Sequence, residues 1–352
     1  MMSSTGSAVC NTGRRAAPAG LYLLLVIALT VVLPACRASP PPGRPPEEVT
    51  LQLKWIHQAQ FAGYYMALER GYYRDENLDV KLLEGGWAVD IADRLEAGLA
   101  DFAVMSPETA LLARGSGAKP TAIASIYSYS PVVYVAAADS GIVRPRDFAG
   151  RTVAALDLSR AQKDLEVPLY AMLKKVGMDI SAVKLVPWEP DYASFYAGRV
   201  DITPCYCTVA LIAMKQKGLK LNLIWPSDYD INFYSDTVFA HEDTVVNRPE
   251  LVLRFLRASL KGWRDVIQDI DSAVDVTLKY ARIRDRAWQK NLMEAQLPLV
   301  YTGEDHIGWM KQSVWHNIHA VMRESGSLAA DIDIDRIYTL RFLNEIYGSD
   351  GR

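Results

Sequence analysis

An α/β architecture of two lobes, each a mainly parallel sheet flanked by helices, is what this 352-residue chain predicts. Three observations carry the expectation. From Val49, short apolar strands alternate with amphipathic helices over short links, the pattern of a mostly parallel sheet covered on both faces. After residue 126 the same alternation restarts, so a second lobe interrupts the first. Beyond Pro249 the chain is almost all helix, and these helices complete the first lobe.

Residues 49–53 read as a short buried strand. Residues 61–70 carry apolar side chains at helical spacing, and Gly71 stands where a helix end favours a left-handed residue. A second strand follows at 78–83, a helix at 89–97 and a third strand at 102–105. A further helix spans 109–114, ahead of Gly115-Ser116-Gly117, and a fourth strand spans 121–126.

In the second set, residues 132–137 form a strand, and 144–150 form a turn into strand 152–155. A helix at 161–176 ends on Gly177. Then come strand 183–187, a short helix at 192–197, a strand end at 201–203 and a helix at 209–217 capped by Gly218. Strands 221–225 and 237–240 finish the set. Amphipathic helices are expected at 251–270, 272–281 and 285–297. The lobes thus divide as 49–129 plus 244–352 and 130–243, joined by crossovers near Ser130-Pro131 and Glu242–Thr244 that would absorb a hinge rotation.

The first 48 residues read differently. Arg14 and Arg15 flank an apolar run at 22–33, shorter than the ~20 residues a spanning helix needs, so the layout is that of a secretion signal. The run closes on Leu33-Pro34-Ala35-Cys36. A small residue directly before Cys resembles a bacterial lipoprotein signal, whose thiol is acylated and becomes the first residue of the mature protein. An ordinary signal with a bystander cysteine is the alternative. Residues 39–48, rich in Pro and charge, then read as an extended tether, giving a signal at 1–35 and a spacer at 36–48. The body is expected on the extracytoplasmic face of the cell membrane, lipid-anchored through Cys36.

Charge and cysteine usage narrow the classes. The 38 basic and 41 acidic residues argue against a nucleic-acid partner, which would need clustered Lys and Arg. Four cysteines, of which only Cys205 and Cys207 remain in the body, exclude a disulfide-stapled scaffold.

Several segments resemble extracytoplasmic solute-binding proteins of ABC importers for thiamine-precursor pyrimidines and riboflavin, a branch that includes the fungal pyrimidine synthases. They are Leu53-Lys54-Trp55, Gly63-Tyr64-Tyr65 with Ala67, Glu69-Arg70-Gly71-Tyr72-Tyr73 and Asn77-Leu78-Asp79-Val80. To these add Gly98-Leu99-Ala100-Asp101-Phe102-Ala103, residues 148–153 and 196–201, and Leu297-Pro298-Leu299 with Gly308 and Trp309. The resemblance implies the two-lobed type II periplasmic-binding-protein fold, an ABC permease partner and a monomer without cofactor.

Ligands of open α/β sheets sit beyond the carboxyl ends of the strands. There the chain places Trp55, Trp87 and Tyr127, with Trp188, Tyr192 and Tyr206 from the second lobe, and Tyr129 and Tyr234 as further candidates. Flat rings suit flat heterocycles, since offset stacking adds about 0.5–1.5 kcal/mol beyond burial. The alternative is that such rings fill core. Gln58, Gln60, Ser106 and Glu189 would supply hydrogen bonds, and Tyr64 in its Gly-Tyr-Tyr motif joins the set. Few cations stand at these loop starts, which disfavours an anionic ligand. A neutral ring-bearing vitamin is expected: riboflavin, whose wide ring system would use several walls, or a pyrimidine precursor.

An exported pyrimidine-synthase-like enzyme is the third reading, and the chain is expected not to be one. The fungal enzymes need a His, a pyridoxal-phosphate lysine and a cysteine-rich metal motif. Here His57 follows Trp55, and Cys205-Tyr206-Cys207 gives only two thiols where a structural metal takes four ligands. No phosphate loop, nucleophile elbow or zinc-protease helix occurs.

Overall fold

The computed structural model describes residues 45–156 and 163–348. The signal segment 1–35, Cys36 and tether residues up to 44 lie outside the described residues, as do 157–162. Ten strands are defined among the described residues: β1 (Glu47–Gln52), β2 (Leu78–Leu83), β3 (Phe102–Met105), β4 (Pro120–Tyr127), β5 (Val132–Ala137), β6 (Thr152–Ala155), β7 (Lys184–Pro187), β8 (Ile202–Tyr206), β9 (Leu221–Ile224) and β10 (Ser235–His241).

They form two mixed five-stranded sheets flanked by helices, the two-lobed α/β fold that the alternation predicts. The first runs β2-β1-β3-β10-β4 and the second β7-β6-β8-β5-β9. Within each sheet four strands share a direction and one opposes them: β10 in the first and β5 in the second. The opposing strand is in both cases the one delivered by a crossover between sheets.

Two expectations change here. The strand expected at 237–240 to close the second set is β10, which lies in the first sheet between β3 and β4. Its residues are buried from Ser235 to Ala240, which requires a neighbour on each side. The return crossover therefore falls between Ile224 and Ser235, not near Glu242–Thr244. The tether also ends earlier than Glu48. Glu47 already pairs with Leu78 in parallel register, and its carboxylate is held by Arg248 at 2.8 Å and by Arg254.

The C-terminal helices pack on the first sheet. The Pro249–Gln268 helix buries one face, including Phe255 and Trp263, and crosses the Ala62–Glu69 helix at a glycine pair. A Cβ on Gly262 would stand 2.1 Å from the Gly63 carbonyl oxygen, and one on Gly63 would stand 2.2 Å from the Trp263 ring. Only hydrogen at both positions permits that approach. Farther on, the Ala122 and Ser125 amides of edge strand β4 donate to the Ile337 and Gly308 carbonyls at 2.7 and 2.9 Å, so this edge is covered. No helix among the described residues is long and apolar enough to cross a membrane.

Candidate functional site

Four strand exits build the site. β1 runs into Lys54 and Trp55, and β2 runs into the loop holding Gly85 and Trp87. These two exits are stitched together: the Gly85 amide donates to the Trp55 carbonyl at 3.1 Å, and the Gln52 side chain donates to the Leu83 and Glu84 carbonyls. A Cβ on Gly85 would lie 2.1 Å from the Leu53 carbonyl oxygen, so glycine is required where the loops touch. From the second sheet, β7 exits to Trp188 and Tyr192, and β8 ends on Tyr206. The Trp188 amide donates to Ala155 at 3.0 Å and its indole to the Pro204 carbonyl at 3.2 Å, which fixes the ring.

The exits face one cleft with about 710 Å³ of empty space, part of it open to solvent. Six of the predicted residues line it: Trp55, Gln60, Trp87, Trp188, Tyr192 and Tyr206, with Gln58 beside them. Leu156, Leu165, Pro190 and Val209 supply apolar wall. Trp188 and Tyr192 meet edge to face, centroids 5.6 Å apart at 90°. Tyr192 adopts φ 58, a left-handed backbone that is uncommon for a bulky residue and marks a constrained position.

Four predicted residues do not line this cleft. Tyr64 is buried edge-on to Trp263, centroids 5.8 Å apart. Tyr127 is buried, its hydroxyl donating to Gln296 Oε1 at 2.6 Å. The Ser106 hydroxyl accepts from the Thr109 amide at 3.3 Å as the cap of the Pro107–Gly115 helix. Glu189 accepts from the Ser194 amide at 2.7 Å and from its hydroxyl at 2.9 Å. Of the further candidates, Tyr129 is exposed, and the buried Tyr234 accepts from the Lys311 amide.

Lys54 and Asp164 line the cleft and were not among the sequence candidates. Lys54 Nζ meets Tyr206 Oη at 2.7 Å, Asp164 Oδ2 at 3.0 Å and Asp236 Oδ1 at 3.4 Å. Gln60 donates to Asp236 Oδ2 at 2.7 Å, and Gln58 donates to Gln60 Oε1 at 2.7 Å. Burial opposes the Lys54 charge, but Asp164, Tyr206 and Asp236 outweigh it, so its pKa stands well above the ordinary lysine value. Nearby, burial pushes the Glu108 carboxyl up to about 8, and the Asp164 charge adds to the shift. The signal for Lys54 was legible in principle, since a lysine closing an apolar strand needs a buried counter-charge. Nothing local in the sequence points to its partners, which lie 110 and 182 residues away.

His57 stands outside the lining. Its Nδ1 is 3.0 Å from Tyr65 Oη and its amide donates to Glu84 at 2.9 Å. Burial pushes the Cys205 thiol up, and that of Cys207 up to about 11, so both are held protonated.

Comparison with known proteins adds three kinds of finding. The family described as NMT1/THI5 like matches residues 58–273. The riboflavin-binding protein RibY of Chloroflexus aurantiacus is 26% identical over 343 residues, covering 92% of this chain and 95% of that one. A formylaminopyrimidine-binding protein of Halalkalibacterium halodurans is 26% identical over 263 residues, covering 74% and 75%. A 4-amino-5-hydroxymethyl-2-methylpyrimidine phosphate synthase of Legionella pneumophila is 21% identical over 312 residues, covering 86% and 94%. Among solved structures, the periplasmic aliphatic sulphonate binding protein SsuA of Escherichia coli superposes with TM-score 0.66 at 14% identity, over 83% of this chain and 92% of that one, a likeness of fold.

Proposed function

This chain belongs to the NMT1/THI5-like family, and on that ground we propose that it is the solute-binding component of an ABC importer, with riboflavin as its ligand. The observation that carries the reading is the convergence of Trp55, Trp87 and Trp188, with Tyr192 and Tyr206, on one cleft between two sheets. Three indoles offer more flat surface than a single pyrimidine ring would cover, and a tricyclic ring system would use it. The likeness to RibY along nearly the whole of both chains supports the same ligand.

Binding needs no reaction at the cleft. The ligand would stack between rings, and Gln58 would orient its polar edge. By bridging both sheets it would favour their closed arrangement through its differential affinity for the two forms. A membrane permease would then take the closed, loaded form. The body would be held at the extracytoplasmic face by a lipid on Cys36; Cys36→Ala would then release the protein from membrane fractions.

The pyrimidine reading is supported by the formylaminopyrimidine-binding relative, and the synthase relative keeps turnover in the comparison. One titration separates the three. Riboflavin is expected to quench tryptophan fluorescence saturably, while a formylaminopyrimidine does not. Quenching by the pyrimidine alone would replace riboflavin as the ligand. Chemical conversion of either on incubation would replace binding with catalysis.

A further inference from the structure

The ammonium of Lys54 donates to Tyr206 Oη and Asp164 Oδ2 and forms an ion pair with Asp236 Oδ1 at 3.4 Å. The side chains of Lys54, Asp164 and Asp236 are 4%, 4% and 3% exposed, so each is committed to the others and not to solvent.

The partners come from different sides of the cleft. Asp236 is the second residue of β10, in the same sheet as the β1 strand that leads to Lys54, and Gln60 holds its second oxygen at 2.7 Å. Asp236 also has φ 46, an uncommon backbone conformation for a residue other than glycine. Asp164 precedes the Val167–Lys175 helix, and Tyr206 ends β8, both on the side of the second sheet. Parting the sheets would leave Lys54 paired with Asp236 and strip away the other two.

We propose that Lys54 is an interlobe latch and positioning residue: docking of Asp164 and Tyr206 on its ammonium closes the cleft and sets the Tyr206 ring as a wall for the ligand. Its effect on affinity rests on the ligand-binding reading above; its effect on closure does not. A buried ion pair gains attraction but loses hydration, and the two nearly cancel. The latch alone therefore leaves open and closed forms close in free energy, and a bridging ligand tips the balance.

The test uses the full chain with Lys54→Met, Lys54→Arg and Asp164→Asn. Small-angle scattering without ligand gives the radius of gyration, and stopped-flow fluorescence gives riboflavin association and dissociation rates. Lys54→Met is expected to enlarge the ligand-free particle and to speed dissociation about tenfold or more, with association little changed. Asp164→Asn moves both in the same direction by less, and Lys54→Arg restores most of the loss. Wild-type radius and dissociation rate in both Lys54→Met and Asp164→Asn overturn the latch. So does faster dissociation with an unchanged ligand-free radius in both variants, which would make Lys54 a direct ligand contact rather than a latch. Should Lys54→Met not fold, Asp164→Asn decides. Should wild type bind neither riboflavin nor a pyrimidine, the ligand reading fails, and the scattering comparison still judges the latch.

Discussion

Trp55 and Trp188 leave strands of different sheets, so each can be removed without touching the other's support. Replacing either by Ala is expected to weaken riboflavin binding by about 10- to 100-fold, the loss of one stacking face and its buried area. Tyr64→Phe and Tyr127→Phe, off the cleft, should leave affinity near wild type. Calorimetric titration measures all four, and an unchanged constant for Trp55→Ala removes that ring from the site. Glu108 gives a prediction of another kind. Its carboxyl titrates near 8 in the folded protein, against about 4.5 unfolded, so the fold takes up its proton more readily. The contribution is complete below about pH 4.5 and is lost as pH rises through about 8. Glu108→Gln should therefore flatten the fall in stability over that interval, by an amount of the order of 4 kcal/mol, read from urea denaturation at pH 5 and 9. Equal slopes in both proteins would contradict it. At this scale the sequence disclosed the rings, because an aromatic at a strand exit is visible in the local pattern. It did not disclose that Tyr127 and Ser106 serve the core and a helix cap, since burial and hydrogen bonding depend on residues far along the chain.

Among elements, the crossing of Ala62–Glu69 with Pro249–Gln268 is the contact least tolerant of added volume. Gly262→Ala would put a methyl 2.1 Å from the Gly63 carbonyl oxygen and 2.8 Å from the Ala67 nitrogen, both rigid backbone atoms. A loss of about 3 kcal/mol is expected, measured by chemical denaturation. A change below about 0.5 kcal/mol would mean that the helices separate easily. Most elements could be read in the chain because each carries its own period and stop, as with the apolar spacing before Gly71. The Gln312–Glu324 helix has no bounds of its own in that reading, although Trp315, Ile318 and Met322 follow helical spacing and are buried. Its start has no side-chain cap to mark it. The sheet to which β10 belongs could not be read either. A buried strand has the same composition wherever it docks, and only its partners distinguish the alternatives.

For the whole molecule, a ligand spanning the two sheets stabilises only the folded form. Riboflavin at about 100 times its dissociation constant should add roughly 2.7 kcal/mol, seen as a rise of several degrees in thermal unfolding. A melting temperature indifferent to riboflavin at that concentration would place its binding elsewhere or nowhere. The position of β10 has a consequence for biosynthesis. It fills the gap between β3 and β4, yet it emerges from the ribosome only after every strand of the inserted sheet. The later-made lobe can thus assemble first. The earlier one waits with two unsatisfied strand edges, on β3 and β4, until β10 pairs with both.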